Sequence, residues 1–271
     1  MSSPWIGFDA VDESGDAAAH AAYLARLAEF VRPIRIEALT RLGIGPGTSL
    51  LDAGCGLGEV VIDLAPRVAP GGRVVGLDAS REMVDRAEAA RLSAGVDAEF
   101  VVGSVTDLPF GSDTFDVTRS ERVFQHLDDA QQTAAAAELV RVTRPGGYIQ
   151  ISDPNHRQWA LAATDRELAW SATDFVGTRG RSPEAGSLNS GLLSRAGATE
   201  IDVTVVPVQL RSVSMWFTTL ALEGWREQLI ATGRATTARA DAFFADLADR
   251  ERNGIFLATS LAYIVTARSP G

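Results

Sequence analysis

The chain has 271 residues, 46% hydrophobic and 22% charged, with a formal charge of −10. That length suits one large domain or a core with an appended lid, and an acidic chain without a basic stretch is a poor match for a phosphate backbone, so nucleic acid is not expected as a partner. All 25 cationic residues are arginine and Cys55 is the single cysteine, which excludes lysine Schiff bases, pyridoxal anchoring, the P-loop lysine, an internal disulfide and any multi-cysteine zinc site.

The first residues read as irregular. From Asp16 to Leu42, apolar side chains recur at three- and four-residue steps (Tyr23, Leu24, Leu27, Phe30, Val31, Ile34), which predicts a helix, kinked or split at Pro33. The breaker Gly43-Ile44-Gly45-Pro46-Gly47 sets a boundary. Short apolar runs then alternate with helical patterns. Strands are predicted at 49–53, 73–77, 99–102, 114–118 and 148–152. Helices are predicted at 59–68, 81–93 (with Ser80 as its N-cap) and 130–142. Such alternation predicts a doubly wound parallel sheet. Beyond Pro154, residues 156–198 and 213–252 read as mostly helical, and strands at 200–210 and 255–267 could add an antiparallel edge. The expected organisation is an N-terminal helical cap segment (1–42), a core (43–153) and a C-terminal part (154–271) carrying cap helices and the last two strands.

The sharpest local signal is Leu51-Asp52-Ala53-Gly54-Cys55-Gly56-Leu57-Gly58, where a strand passes into a helix. Glycines there allow a tight turn and let a ligand lie against main-chain amides. A dinucleotide-binding GxGxxG would require glycine where Glu59 stands, and a carboxylate there would repel a pyrophosphate. The loop therefore suits a ligand without phosphates. Twenty residues on, the second strand ends at Asp78, which can accept hydrogen bonds from the two hydroxyls of a ribose or cap the following helix. His20, His126 and His156 are far apart in sequence, and no metal is expected. No apolar h-region opens the chain and no apolar run reaches the ~18 residues of a membrane span, so the expected location is cytoplasmic, without membrane insertion.

Five segments, LDAGCGLG (51–58), VVGLDAS (74–80), GSVTDLPF (103–110), FDVTRSERVFQHL (115–127) and RVTRPGGYIQISDP (141–154), occur in the order and spacing of a known family. On them the chain resembles the class I S-adenosylmethionine-dependent methyltransferases, in the small-molecule branch similar to the ubiquinone and menaquinone C-methyltransferases. The resemblance implies a Rossmann-like, seven-stranded, mostly parallel sheet with helices on both faces, an antiparallel last strand and a helical substrate cap. It implies S-adenosylmethionine as cofactor, with Asp52, Ala53, Gly54, Gly56 and Gly58 around its methionine part and Asp78 and Ala79 at the ribose. Met83 would lie by the adenine, if it is not simply core. Ser104 and Val105 would flank the adenine, the serine standing where relatives often carry aspartate; Asp107 is a surface turn residue or a substitute for it.

Arg119 and Ser120 would face the methionine end, chiefly through their main chain, and Asp116 would be structural. Tyr23 would close over the methionine carboxylate or merely pack. Methyl transfer from a sulfonium demands alignment more than acid–base groups, and a base is needed only for a protonated nucleophile. His126 is the candidate base, with a structural role as its alternative. Trp5, Trp159, Trp170, Trp216 and Trp225, with Phe175 and Phe217, either line an apolar substrate pocket or pack the cap. His156, Arg157 and Arg179 could orient a polar end of the substrate. The expected activity is C- or O-methylation of a small apolar or aromatic metabolite, in a chain that could form a homo-oligomer. A cyclising or rearranging relative and a non-catalytic cofactor-binding protein are the alternatives.

Overall fold

A computed structural model describes residues 17–177, 181–220, 222 and 224–271. Helix α1 (Ala17–Thr40) precedes five strands interleaved with three helices: β1 (Ser49–Ala53), α2 (Glu59–Val68), β2 (Arg73–Asp78), α3 (Arg81–Ala94), β3 (Glu99–Val102), β4 (Phe115–Glu121), α4 (Asp129–Val142) and β5 (Thr143–Leu161). There follow α5 (Arg166–Gly177), α6 (Ala185–Arg195), β6 (Thr199–Leu210), α7 (Val213–Thr219), α8 (Trp225–Ala231), α9 (Thr237–Arg252) and β7 (Ala258–Arg268).

The strands form one seven-stranded sheet in the order β3-β2-β1-β4-β5-β7-β6. The first five are parallel, and β7 runs antiparallel to both of its neighbours. Alternation along the strands assigns neighbouring residues to opposite faces. Leu50 and Val74 pack with Val60, Val61 and Leu64 of α2 on one face, whereas Leu51 and Val75 join Leu139 of α4 and Leu193 of α6 on the other. The strand order reverses between β1 and β4, where ligands bind at the carboxyl ends of open α/β sheets.

Local signals account for most boundaries. Ser80 Oγ accepts from the Met83 N–H at 3.2 Å to start α3, and Gly95, in the left-handed conformation, ends it. A reciprocal capping box between Asp128 and Gln131 starts α4.

Three expectations are corrected. Helix α1 runs unbroken through Pro33. Proline forfeits one helical N–H bond, but contacts on both sides hold the helix: Val31 is buried, Arg35 is ion-paired, and the Ala38 carbonyl accepts from Gln150 Nε2 at 2.8 Å. Residues 156–161, read as helical, are the continuation of β5, whose outer half pairs with the start of β7 (Ala160 with Thr259, Leu161 with Ala258). The expected boundary at 153/154 therefore falls inside a strand.

The prolonged strands carry a second apolar core beyond the carboxyl edge of the sheet. Trp159 of β5, Val208 and Leu210 of β6 and Ala258 and Ala262 of β7 pack against α5, α7, α8 and α9. Trp216, Trp225 and Phe256 are fully buried there, and Trp225, Phe243 and Phe244 meet edge to face at 5.6–5.9 Å. Phe175 and Phe217 join this cluster, whereas Trp170 is 82% exposed. Trp5 lies outside the described residues. Among those described, no helix is long and apolar enough to cross a membrane and no group of three His, Cys, Asp or Glu side chains is gathered as a metal site.

Candidate active site

Two cavities open at the carboxyl edge of the sheet beneath α1. The larger, of about 260 Å³, is lined by the glycine loop (Gly54, Cys55, Gly56, Leu57), by Asp52, Asp78, Ala79, Met83, Ser104 and Val105, and by Arg119 and the segment after it. Leu24, Ala28, Val31 and Arg35 of α1 roof it.

The loop is shaped by its glycines. Gly54 has φ +86°, and a Cβ there would sit 2.2 Å from a methyl of Val123. Its N–H and that of Cys55 both donate to the Leu77 carbonyl, tying the loop to the end of β2. Asp78 secures the same turn: Oδ2 accepts from the Gly56 N–H at 2.8 Å and Oδ1 from the Ser80 N–H at 3.0 Å. The Asp78 carboxylate thus organises the loop and lines the cavity. The Cys55 thiol is pushed well up by burial and by Asp78 and Asp52, which keeps it protonated and unreactive.

Below the loop lies a buried charge network. Arg119, 1% exposed, reaches Asp52 at 2.7 Å and Glu121. Arg35 crosses from α1 to Glu121 at 3.1 Å and to Glu59 at 3.2 Å. Burial alone would raise the Glu121 pKa, but the two guanidinium groups hold it below the usual carboxylate range. Arg119 Nε is buried with no hydrogen-bond partner. Glu59, expected to repel a pyrophosphate, here pairs with Arg35 of the roof helix.

The second cavity, about 70 Å³, adjoins the first and shares Val31, Glu121, Arg122 and His126 with it. Its walls are otherwise largely apolar: Tyr23, Leu27, Phe30 and Ile34 of α1, Trp159, Val208 and Ala262, with Ser152, Asp153, His156 and Ser260 as polar points. A directional chain of hydrogen bonds runs along one side. The Trp159 indole N–H donates to His156 Nδ1 at 3.5 Å, His156 Nε2 donates to Gln125 Oε1 at 2.8 Å, and Gln125 Nε2 donates to His126 Nε2 at 3.2 Å. Both imidazoles are therefore neutral. Burial, then the charge of Arg122, lowers His156 to about 4, and burial, Arg122 and His156 lower His126 to about 3.

Of the residues expected at the cofactor, Asp52, Gly54, Gly56, Asp78, Ala79, Met83, Ser104, Val105 and Arg119 are brought together around the larger cavity. Four are not among its lining. Gly58 lies outside because it is a packing glycine: a Cβ would strike Phe100 at 2.5 Å and Ala87 at 2.8 Å. Ala53 is fully buried in the core, and Ser120 Oγ turns away to donate to the Ala53 carbonyl at 2.8 Å. Tyr23 lines the smaller cavity, although Leu24 beside it and Ala28 further along α1 line the larger one. Ser104 lines the larger cavity, and its Oγ accepts from the Thr106 N–H at 3.1 Å. Asp107 is exposed and outside that lining. Asp116 is structural, accepting from the Ser49 N–H at 2.8 Å and pairing with Arg144. Arg157 pairs with Glu184 at the surface, and Arg179 lies outside the described residues.

Sequence reasoning missed Arg35, Glu121, Arg122 and Asp153. Glu121 and Arg122 sit inside a segment already singled out, where charges at 119 and 121 on a strand otherwise destined for the core were the available signal.

Residues 50–147 match a family model described as a methyltransferase domain. An uncharacterised 37.1 kDa protein of transposon TN4556 from Streptomyces fradiae is 31% identical over 257 residues, 91% of this chain and 70% of that one. Nocamycin O-methyltransferase of Saccharothrix syringae is 36% identical over 138 residues, 49% of each chain. Demethylmenaquinone methyltransferase of Lactococcus lactis is 33% identical over 123 residues, 45% of this chain and 48% of that one. The chain thus spans about half the length of these two named enzymes. Among solved structures, the [4+2]-cyclase SpnF shares the fold with a TM-score of 0.53 at 20% identity, covering 88% of this chain and 80% of that one. The chain belongs to the class I S-adenosylmethionine-dependent methyltransferases.

Proposed function

We propose that the enzyme methylates an oxygen or carbon of a small acceptor with an apolar or aromatic body, bound in the smaller cavity. The observation that carries this reading is the meeting of two unlike cavities, one polar and glycine-lined, the other apolar, along a shared wall. The larger cavity fits the cofactor: a Cβ at Gly56 would narrow it toward Leu24 of the roof, 3.4 Å away, and the orphaned Arg119 Nε is a donor that a methionine carboxylate would satisfy. When bound, the sulfonium supplies a methyl group already activated for displacement.

The chain's own residues have four tasks. Gly54 and Gly56 present main chain to the methionine part, and Asp78 holds the ribose hydroxyls. Met83 and Val105 border the adenine. Leu27, Phe30, Val31 and Trp159 exclude water and confine the acceptor against the shared wall, which is where alignment lowers the barrier. His126, neutral and with Nε2 engaged by Gln125, is better suited to that wall than to proton abstraction.

The relative named an O-methyltransferase supports oxygen as the acceptor atom. The test is mass spectrometry of products after incubation with S-adenosylmethionine and a set of phenols, enols and carboxylic acids. A gain of one methyl group is expected. An isomer of unchanged mass would favour the cyclase reading, and cofactor binding without any product would favour a binding protein.

A further inference from the structure

Arg122 stands at the boundary of the two cavities and lines both. Its backbone is left-handed, with φ +60°, a costly conformation for a residue with a side chain. Three contacts enforce it. The Arg122 N–H donates to the Ser152 carbonyl at 2.8 Å, its own carbonyl accepts from Gln125 Nε2 at 3.1 Å, and the next residue, Val123, is pressed onto Gly54. Arg35 and Arg119 nearby are each bound to two carboxylates. The Arg122 guanidinium, by contrast, makes no hydrogen bond or ion pair with a described residue, although its charge acts on Asp153, His126 and His156. A partly buried cation on a left-handed backbone at a shared wall, bound directly to no carboxylate, is arranged for an anionic group that arrives with a ligand.

Asp153 lines the same cavity from the carboxyl end of the parallel part of β5 and is 1% exposed. Its oxygens accept from the Gln125 N–H at 3.3 Å and from Asn189 Nδ2 at 3.1 Å, and α6 presses on its main chain at Gly186. The charged or titratable groups sharing its cavity are Glu121, Arg122, His126, His156 and Tyr23. Burial outweighs these two hydrogen bonds and the charge of Arg122, and lifts the Asp153 carboxyl to about 7.

Resting on the methyltransferase reading, we propose that Arg122 and Asp153 form a recognition pair for an acceptor carrying one acidic hydroxyl, a phenol or an enol. The hydroxyl O–H bond breaks, its proton passes to the Asp153 carboxylate, and the oxygen keeps the electron pair and faces the Arg122 guanidinium. Arg122 is then the determinant of the acceptor class and Asp153 the base.

The probe is 4-chlorophenol, neutral in solution at about pH 8 and distinguishable from its phenolate by absorbance, added to protein saturated with S-adenosylhomocysteine. Wild type is expected to bind it as the phenolate, its apparent pKa lowered by about 1–3 as beside an opposite charge, and to bind its methyl ether more weakly. R122M is expected to lose both the phenolate and the preference over the ether while still binding S-adenosylhomocysteine. In D153N the proton has nowhere to go but the buffer, so the heat of binding becomes buffer-dependent, whereas in wild type it does not.

A neutral bound probe, no bound probe, or an R122M variant that behaves as wild type would overturn the pairing. So would loss of S-adenosylhomocysteine binding in R122M, which would assign Arg122 to the cofactor. Proton release by wild type would remove Asp153 from the proposal. Failure of wild type to bind S-adenosylhomocysteine would instead strike the methyltransferase reading itself.

Discussion

The cofactor half and the cap half are stabilised by different physics. Around the larger cavity, polar groups are fixed by short-range bonds: Asp78 to the loop amides, Arg119 to Asp52 and Glu121, Arg35 from the roof. Around the smaller cavity the walls belong to an aromatic core built on strands prolonged past the sheet. The first arrangement suits a ligand bound in one pose, because each buried polar group costs free energy unless it is paired. The second excludes water and tolerates variation in shape, since apolar burial is non-directional.

The largest expected effect comes from breaking the charge network. Arg119→Met leaves Asp52 and Glu121 buried beside only Arg35, and about 3–5 kcal/mol of stability should be lost, measurable by urea unfolding. A variant as stable as wild type would mean that the two carboxylates are not charged together. In the other half, Trp225→Ala removes a fully buried ring and should cost about 3–5 kcal/mol as well. Here S-adenosylhomocysteine binding to the remaining folded protein should be unchanged, whereas in Arg119→Met it should weaken. Equal loss of binding in both variants would deny that the halves differ.

A smaller effect is expected from His126. Unfolded, an imidazole takes up a proton near 6.5, but folded, His126 and His156 do so only at about 3 and about 4. Acid therefore favours the unfolded chain as pH falls below about 6.5. Asp153 acts oppositely: its carboxyl rises from 3.8 to about 7 in the folded protein, so stability is gained as pH falls through that interval. It cancels one of the two histidines. Between about pH 5 and 6.5 wild type should lose stability with a slope of at most about 1.4 kcal/mol per pH unit. His126→Gln should flatten it, as followed by thermal melts, while leaving the pH dependence of turnover unchanged. A shifted turnover profile would restore His126 as a base.

The cofactor half was largely legible because its signals are local. A glycine loop between strand and helix and an acid at the end of the next strand place Gly54, Gly56 and Asp78 without knowledge of distant contacts. The misplacements share a cause. Gly58 and Ser120 occur in the right segments, yet packing against Phe100 and a bond to the Ala53 carbonyl decide where they point. Tyr23 and Leu24 are neighbours on α1, and only the seating of that helix decides which cavity each meets.

The cap was less legible. Residues 156–161 have no clear alternation and become a strand only because β7 offers a partner, the tertiary override that makes strand propensity a weak guide. A left-handed arginine at position 122 has no sequence signature at all; its conformation is imposed by Ser152, Gln125 and the fit of Val123 on Gly54.

The division of labour between the halves is tested most directly by calorimetric titration of S-adenosylhomocysteine into wild type, Asp78→Asn and Trp159→Ala. Asparagine at 78 keeps the shape but gives up a carboxylate acceptor, and binding should weaken by about 1.5–3 kcal/mol. Trp159→Ala, confined to the acceptor wall, should bind as wild type does. Undiminished binding in Asp78→Asn, or a loss in Trp159→Ala as large as in Asp78→Asn, would contradict a cofactor site held by the polar half alone.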